Sequence, residues 1–600
     1  MLRFACLLLP VALLLSCGKK KEETPPGAPP AAGGQPTPPA AGGGKTGAEP
    51  PPGQDQSGGA ANTAPTVSDC PAKLGGSETV NRVLPKGCQT IVDQDYHING
   101  GQVVIEAGVT LKFKDGVTFN IGYSDAAKLI VKGTAEAPVL FTAAGDKVSG
   151  VWQGVNLYQH ADRSQIDHLV IEFAGKEGEA VKIEAEDVVY TNSTIRGSKA
   201  NGVGVGQHGS LAKFTGNTIE DVAKFPISLS ASAAAGLGEG NKLPAGSVVQ
   251  IYGGTVTNQV KWANIGAPYF VAEDVHIEGE QGSKGSLEIA AGVEVRMGTA
   301  AQLIVGYSSP AVVKIAGTAQ APVRFTAFEP DKKPGAWPSV RVYSRGEGTF
   351  DHVTFEYGGG AEDAALQIES DSAASVTACT FKRNTVGVLL GDRSKIRAFD
   401  QNSFEGNDKA AVVLSAGQFG ALGTANKYGD KEHVQLKGGR VETTTTWHAQ
   451  GAPVDVMDEV HVDGRTTLTI EAGSTFVQRE RTSWSVGYSD NATLKLMGTP
   501  DKPIRFVGQR DEAGAWYGIA LQSNSRDSVL ENVIVRAAGL EQSPGVKVER
   551  EANAKVTKLT CQKCAAPTLA YACGSKVTAA EVKAEEGTKV GEEKPKDCPK

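Results

Sequence analysis

Three tripeptides, Gly122-Tyr123-Ser124, Gly306-Tyr307-Ser308 and Gly487-Tyr488-Ser489, recur in this 600-residue chain in matching surroundings. A tyrosine held on a turn can stack its ring on a ligand and hydrogen-bond through its phenol. The same tripeptide also has a plainer use, as a turn whose ring packs on the next layer of chain. Tyr123, Tyr307 and Tyr488 are therefore candidate ligand-facing aromatics. The pairs Asp167-His168 and Asp351-His352 have the composition of an acid/base pair or of metal ligands, but the third copy reads Glu531-Asn532. A hydrogen-bonding turn tolerates that exchange, so these pairs are read as structural. Gly236-Leu237-Gly238-Glu239-Gly240 has the glycines of a phosphate loop without the helix such a loop needs, and is read as a turn. No metal site, catalytic residue or cofactor is expected.

Cysteines are grouped at two places. Cys70 and Cys88 can close a loop near the start of the folded region, and Cys561, Cys564, Cys573 and Cys598 cluster near the other end. The second group is expected to form two disulfides, of which three connectivities are possible. A zinc site or a redox Cys-x-x-Cys are the alternatives there. Cys379 matches Ser193 and Leu559 in the repeat and is expected to be a buried free thiol.

The elements that must position these residues are strands. Runs such as VVIEA, KLIVKG, PVLFTA and LVIEFAG alternate apolar and polar residues and are rich in Val, Ile, Phe and Thr. Comparable segments return roughly every 23 residues, as from Phe381 to Phe404, with no amphipathic helix between them. A second, longer period of about 180 residues relates Gly133 to Gly317 and Gly498, and Trp152 to Trp337 and Trp516. Trp262 and Trp447 correspond as well. The chain carries 73 glycines and only four methionines, which also favours turns and strands. Its net charge of −7, without a basic stripe, excludes nucleic acid as an expected partner.

The order LTIEAG, GTAEAPVLFTA, GVWQGV, HLVIEFAG and TWHAQGAPV resembles the right-handed parallel β-helix proteins of the pectate-lyase-like superfold, over roughly residues 78–580. The resemblance implies an all-β solenoid. It says little about activity, because that superfold hosts lyases, hydrolases, epimerases, adhesins and other proteins. The enzymes among them use clustered carboxylates with a basic residue nearby. This chain has no Asp-Asp pair, and its nearest echoes are Gln207-His208-Gly209 and Arg393-Ser394-Lys395-Ile396-Arg397, with no carboxylate partner evident for either.

At the other extreme, MLRFACLLLPVALLLSCGKKK has the form of an export signal, and Leu14-Leu15-Ser16-Cys17 resembles the lipobox of bacterial lipoproteins. The resemblance implies that Cys17 is acylated and becomes the mature N-terminus. The Pro-, Gly- and Ala-rich stretch that follows cannot build a core and is expected to be a disordered tether. The expected organisation is a signal (1–16), tether (17–66), N-terminal cap (67–100), β-helix modules (101–265, 266–450 and 451–580) and charged tail (581–600). Equivalent residues of successive modules are expected about eight coils, or roughly 40 Å, apart. The expectation for function is a non-enzymatic lipoprotein of a Gram-negative-type outer membrane, either leaflet being possible. It would present a long face to polysaccharide or to another envelope protein. The alternative is a polysaccharide-modifying enzyme with its site in one module.

Overall fold

The computed structural model describes residues 65–595, apart from 281, 329 and 331. The signal and all but the last residues of the tether, with Cys17, and also Cys598, lie outside the described residues. The described chain winds into a right-handed parallel β-helix of about 19 coils, and at an interstrand spacing of about 4.8 Å the rod is roughly 90 Å long. Each coil supplies short strands that pair in parallel with those of the coils below and above.

Stacked coils place like residues on like residues, and this builds the core. Leu111, Phe141, Ile171, Ile195 and Ile219 form one inward ladder, none more than 1% exposed. A second ladder is aromatic: Phe325, Phe355, Phe381, Phe404 and Tyr428 stack with ring centroids 5.0 to 5.4 Å apart. Bends leave backbone amides without sheet partners, and these are satisfied by asparagine ladders. Asn402 Oδ1 accepts from the Cys379 amide at 3.0 Å, while its own amide donates to Asn426 Oδ1 at 3.1 Å. Cys379 thus sits at one end of such a ladder, where module 1 has Ser193 beside Asn217. It is buried and free, and desolvation pushes its thiol up to about 12.

The long-period repeats have local causes. A Cβ on Gly133, Gly317 or Gly498 would lie 2.2, 2.5 or 2.4 Å from the carbonyl oxygen of His168, His352 or Asn532, so only glycine lets the adjacent coil approach. Those three residues in turn adopt φ of 50°, 49° and 48°, a left-handed corner that asparagine and histidine tolerate. Trp152, Trp337 and Trp516 are buried, and their indole N–H groups donate to the carbonyls of Glu172, Glu356 and Arg536 at 2.8, 2.8 and 2.9 Å.

The ends are stapled. Cys70 and Cys88 are bonded across 18 residues, a closure worth about 3 kcal/mol in the chain-entropy picture. Cys561 is bonded to Cys564, and Cys573 is also disulfide-bonded.

Module boundaries hold a feature that the repeat does not announce. The ladder Ile121, Leu157, Ile183, Val205, Leu229, Ile251, Val271, Met297 and Ala327 is continuous. It begins on the strand that leads into Gly122-Tyr123-Ser124 and ends on VRFTA, Val323–Ala327, which is the module 2 counterpart of VLFTA. A new sheet starts at Gly254–Val256, and this one leads through Leu303–Val305 into Gly306-Tyr307-Ser308. The second boundary repeats the move: the sheet of Tyr307 continues into Phe476 and Phe506, and another begins at Gly439–Val441 and leads to Tyr488. At each boundary a new sheet therefore opens under the tyrosine turn, while the strands that follow the turns, Ala127–Lys132, Ala311–Ala316 and Ala492–Met497, stay in one column bridged by the 3-10 turns Ala233–Gly236 and Ala416–Ala421. Counting the ladder puts Tyr123 and Tyr307 about seven coils apart, roughly 34 Å, slightly closer than the sequence suggests.

Candidate functional site

The three Gly-Tyr-Ser turns are built alike, each resting on the coil before it. Glycine comes first because φ is 70°, 69° and 73° at Gly122, Gly306 and Gly487, and because a Cβ there would lie within 2.5 Å of backbone in the following coil. After the tyrosine, the backbone amide of the serine donates to an acceptor side chain directly beneath. These acceptors are Asn99 at 3.4 Å, Glu278 at 3.2 Å and Asp463 at 3.0 Å, the last from Ser489. Glu278 also receives the amides of Tyr307 and Ser309 and both serine hydroxyls. Burial opposes its ionisation, but the hydrogen bonds from Ser309 and Ser308 outweigh that and hold the carboxyl below its ordinary range.

Glycine is thus accounted for by the scaffold, and serine in module 2, where its hydroxyl also bonds Glu278. The exposure of the tyrosines is not. Tyr123, Tyr307 and Tyr488 are 63%, 64% and 71% exposed, the most exposed large apolar side chains among the described residues. In modules 1 and 2 the ring meets a second tyrosine from the next coil edge-on. Tyr158 is 5.0 Å from Tyr123, and Tyr343 is 4.9 Å from Tyr307. Gln522 takes that place in module 3, one residue beyond Leu521 in the same register.

Stacking brings a carboxylate to each turn. Glu184 follows Ile183 in the coil after Tyr158, and Glu369 and Glu549 occupy the same position after Ile368 and Val548. Each has a cationic neighbour: Lys182 at 3.1 Å, Arg341 at 2.7 Å and Lys547 at 2.7 Å. Arg341 also lies over the Tyr343 ring, 4.9 Å from its centroid. In module 1 a cleft of about 230 Å³ is lined by Tyr123, Tyr158, Gln159, Glu184 and His208. His208 therefore shares a cleft with a carboxylate, Glu184, which the sequence did not reveal. Arg393 and Arg397 likewise pair with Asp371 and Glu347, at 2.7 Å each.

The Asp-His pairs lie at the structural corners described above, with His168 Nδ1 3.1 Å from Asp167 and His352 Nδ1 3.2 Å from Asp351. Among the described residues no group of three or more His, Cys, Asp or Glu side chains is placed to hold a metal ion. The glycine-rich stretch from Gly236 follows a short buried 3-10 turn, Ala233–Gly236, and its Leu237 bridges to Phe214. What sequence reasoning missed are Tyr158, Tyr343 and the three glutamates. They lie 35 to 62 residues beyond their turn tyrosines, and only the coil register joins them.

The fold is a parallel β-helix in which an exposed turn tyrosine, and a glutamate two coils further on, recur once per module. Comparison with protein-family models, curated proteins and solved structures gives no match.

Proposed function

We propose that this chain is a lipid-anchored envelope protein that binds glycan without turning it over, through one aromatic–carboxylate site in each module. The observation that carries the reading is the exposure of Tyr123, Tyr307 and Tyr488 on turns in which the fold dictates the preceding glycine. Rings that are at least 63% exposed bury little of their apolar surface in the fold, whereas a sugar face covers a ring and its hydroxyl or amide N–H groups donate to a carboxylate. Glu184, Glu369 and Glu549 are each paired with a Lys or Arg, so the sites offer no excess charge to an acidic glycan, and the ligand class is a neutral or amino-sugar polymer. Binding to insoluble chitin and β-glucan particles, lost on Tyr→Ala replacement, tests this directly.

Anchoring rests on the lipobox-like segment before Cys17. Diacylation plus an acylated amine exceeds the single chain that gives only reversible attachment. The expected result of Cys17→Ser is release of the protein from the membrane fraction. Retention at wild-type level would remove the lipid anchor from the account.

A second reading has one observation in its favour. Module 1 alone adds His208 to its tyrosines and glutamate in the cleft, a set able to exchange protons with a bound glycan. Under that reading the protein releases reducing ends from a polysaccharide, and Glu184→Gln abolishes the release. We expect no release from wild type, with Glu184→Gln weakening retention of the particles several-fold.

A further inference from the structure

The three tyrosine turns lie along one corner of the rod. Each delivers the chain into the same column of strands: Ala127–Lys132 follows Tyr123, Ala311–Ala316 follows Tyr307 and Ala492–Met497 follows Tyr488. That column is unbroken. Its first part runs to Leu211–Thr215, on which the 3-10 turn Ala233–Gly236 rests, and Gln259–Trp262 rests on that turn in the next coil. Ala416–Ala421 bridges Lys395–Asp400 to Thr445–Trp447 in the same way. The corner before the column is continuous too. Just past each boundary, the Ser286 amide donates to the Asn258 carbonyl at 3.1 Å and the Thr467 amide to Thr444 Oγ1 at 3.2 Å.

About seven coils separate Tyr123 from Tyr307 along this corner, and about seven separate Tyr307 from Tyr488, or roughly 34 Å each at the interstrand spacing. Equal steps along one corner suit a ligand that is straight and repeats itself. Between the tyrosines the corner carries exposed polar side chains, Gln207, His208 and Asn258 in the first interval and Asp392, Arg393 and Thr443 in the second. These can exchange hydrogen bonds with sugar hydroxyls along the way. We propose that one extended glycan chain lies along this corner and is held by two or three tyrosines at once, which makes the protein a reader of chain length. A β-1,4-linked polymer, whose sugars follow one another in an extended ribbon, has the required shape, and a coiled glucan does not. The inference rests on the reading of the tyrosines as glycan contacts. It adds that a chain long enough to reach a second tyrosine binds far more tightly than a shorter one, since the second contact is then intramolecular.

The test uses the mature chain, captured sparsely on a sensor so that no polymer reaches two copies, with glycol chitin and hydroxyethyl cellulose fractionated by length. The fractions extend to less than one intersite spacing, to between one and two, and to more than two. For wild type, affinity is expected to rise about 100-fold from the first fraction to the second, and by a smaller factor again at the third. Tyr307→Ala is expected to abolish the rise at the second fraction and keep one at the third, since only Tyr123 and Tyr488 remain, about 67 Å apart. Tyr123→Ala is expected to keep the rise at the second fraction and lose the one at the third. Affinity that grows only in proportion to length, while short fractions still bind, would overturn the shared track and leave the tyrosine sites intact. A rise at the second fraction that survives Tyr307→Ala would overturn it as well. No binding of any fraction would remove the binding reading, and the track with it.

Discussion

Replacing Phe355 by alanine lowers stability by about 3–5 kcal/mol, the range for truncating a fully buried aromatic. Phe355 is 0% exposed and stacks on Phe325 below and Phe381 above, at 5.4 and 5.0 Å. The gap cannot be closed by collapse, since the strands on both sides are fixed by their own ladders at the interstrand spacing. A solenoid couples each coil mainly to its neighbours, so the damage is local. Hydrogen exchange is expected to show lost protection in Val323–Ala327 and Thr380–Lys382 and unchanged protection in Thr110–Phe113. Uniform loss along the whole rod would mean that the coils unfold as one unit and would contradict the nearest-neighbour account.

Simultaneous replacement of Tyr123, Tyr307 and Tyr488 by alanine is expected to have the largest effect on binding with a modest one on stability. On densely packed glycan particles, where every site can find a strand, apparent affinity falls by about 100-fold or more, because multivalent attachment compounds three separate losses. Thermal stability falls by about 1–3 kcal/mol through the loss of two edge-on tyrosine pairs, and the fold is retained. Single replacements rank in a definite order. Tyr123 and Tyr307 each act with a second tyrosine and lose more, while Tyr488 faces Gln522 and loses less. A triple variant that unfolds would instead make these rings part of the scaffold.

Much of the scaffold is legible in the sequence. Phe381 and Phe404 gave the coil length because like residues stack on like, and Gly133, Gly317 and Gly498 gave the module length because each meets a carbonyl at a corner. The exchange of His168 and His352 for Asn532 marked that corner as structural, and all three adopt the same left-handed φ. The terminal disulfide between Cys70 and Cys88 followed from its place at the start of the coils. Two things escaped. Glu184 lies 61 residues beyond Tyr123, and nothing linear ties them, since the intervening coil lengths vary with loops such as the one after Ala143. The opening of a new sheet at each boundary escaped because every module has the same sequence pattern before and after it. Its signal was present in the pairs Gly253-Gly254 and Gly438-Gly439, with a forerunner at Gly75-Gly76, but a glycine pair reads equally well as an ordinary turn.

The central claim is that the exposed tyrosines are separate glycan sites, and counting them tests it most directly. Calorimetric titration of the mature chain with chitohexaose and with a β-glucan hexasaccharide gives the number of sites per chain, free of avidity. The account predicts three sites for one of these sugars, two of similar affinity and one weaker, with one site lost for each tyrosine replaced. A stoichiometry that the triple variant retains, or no binding of either sugar, would contradict it.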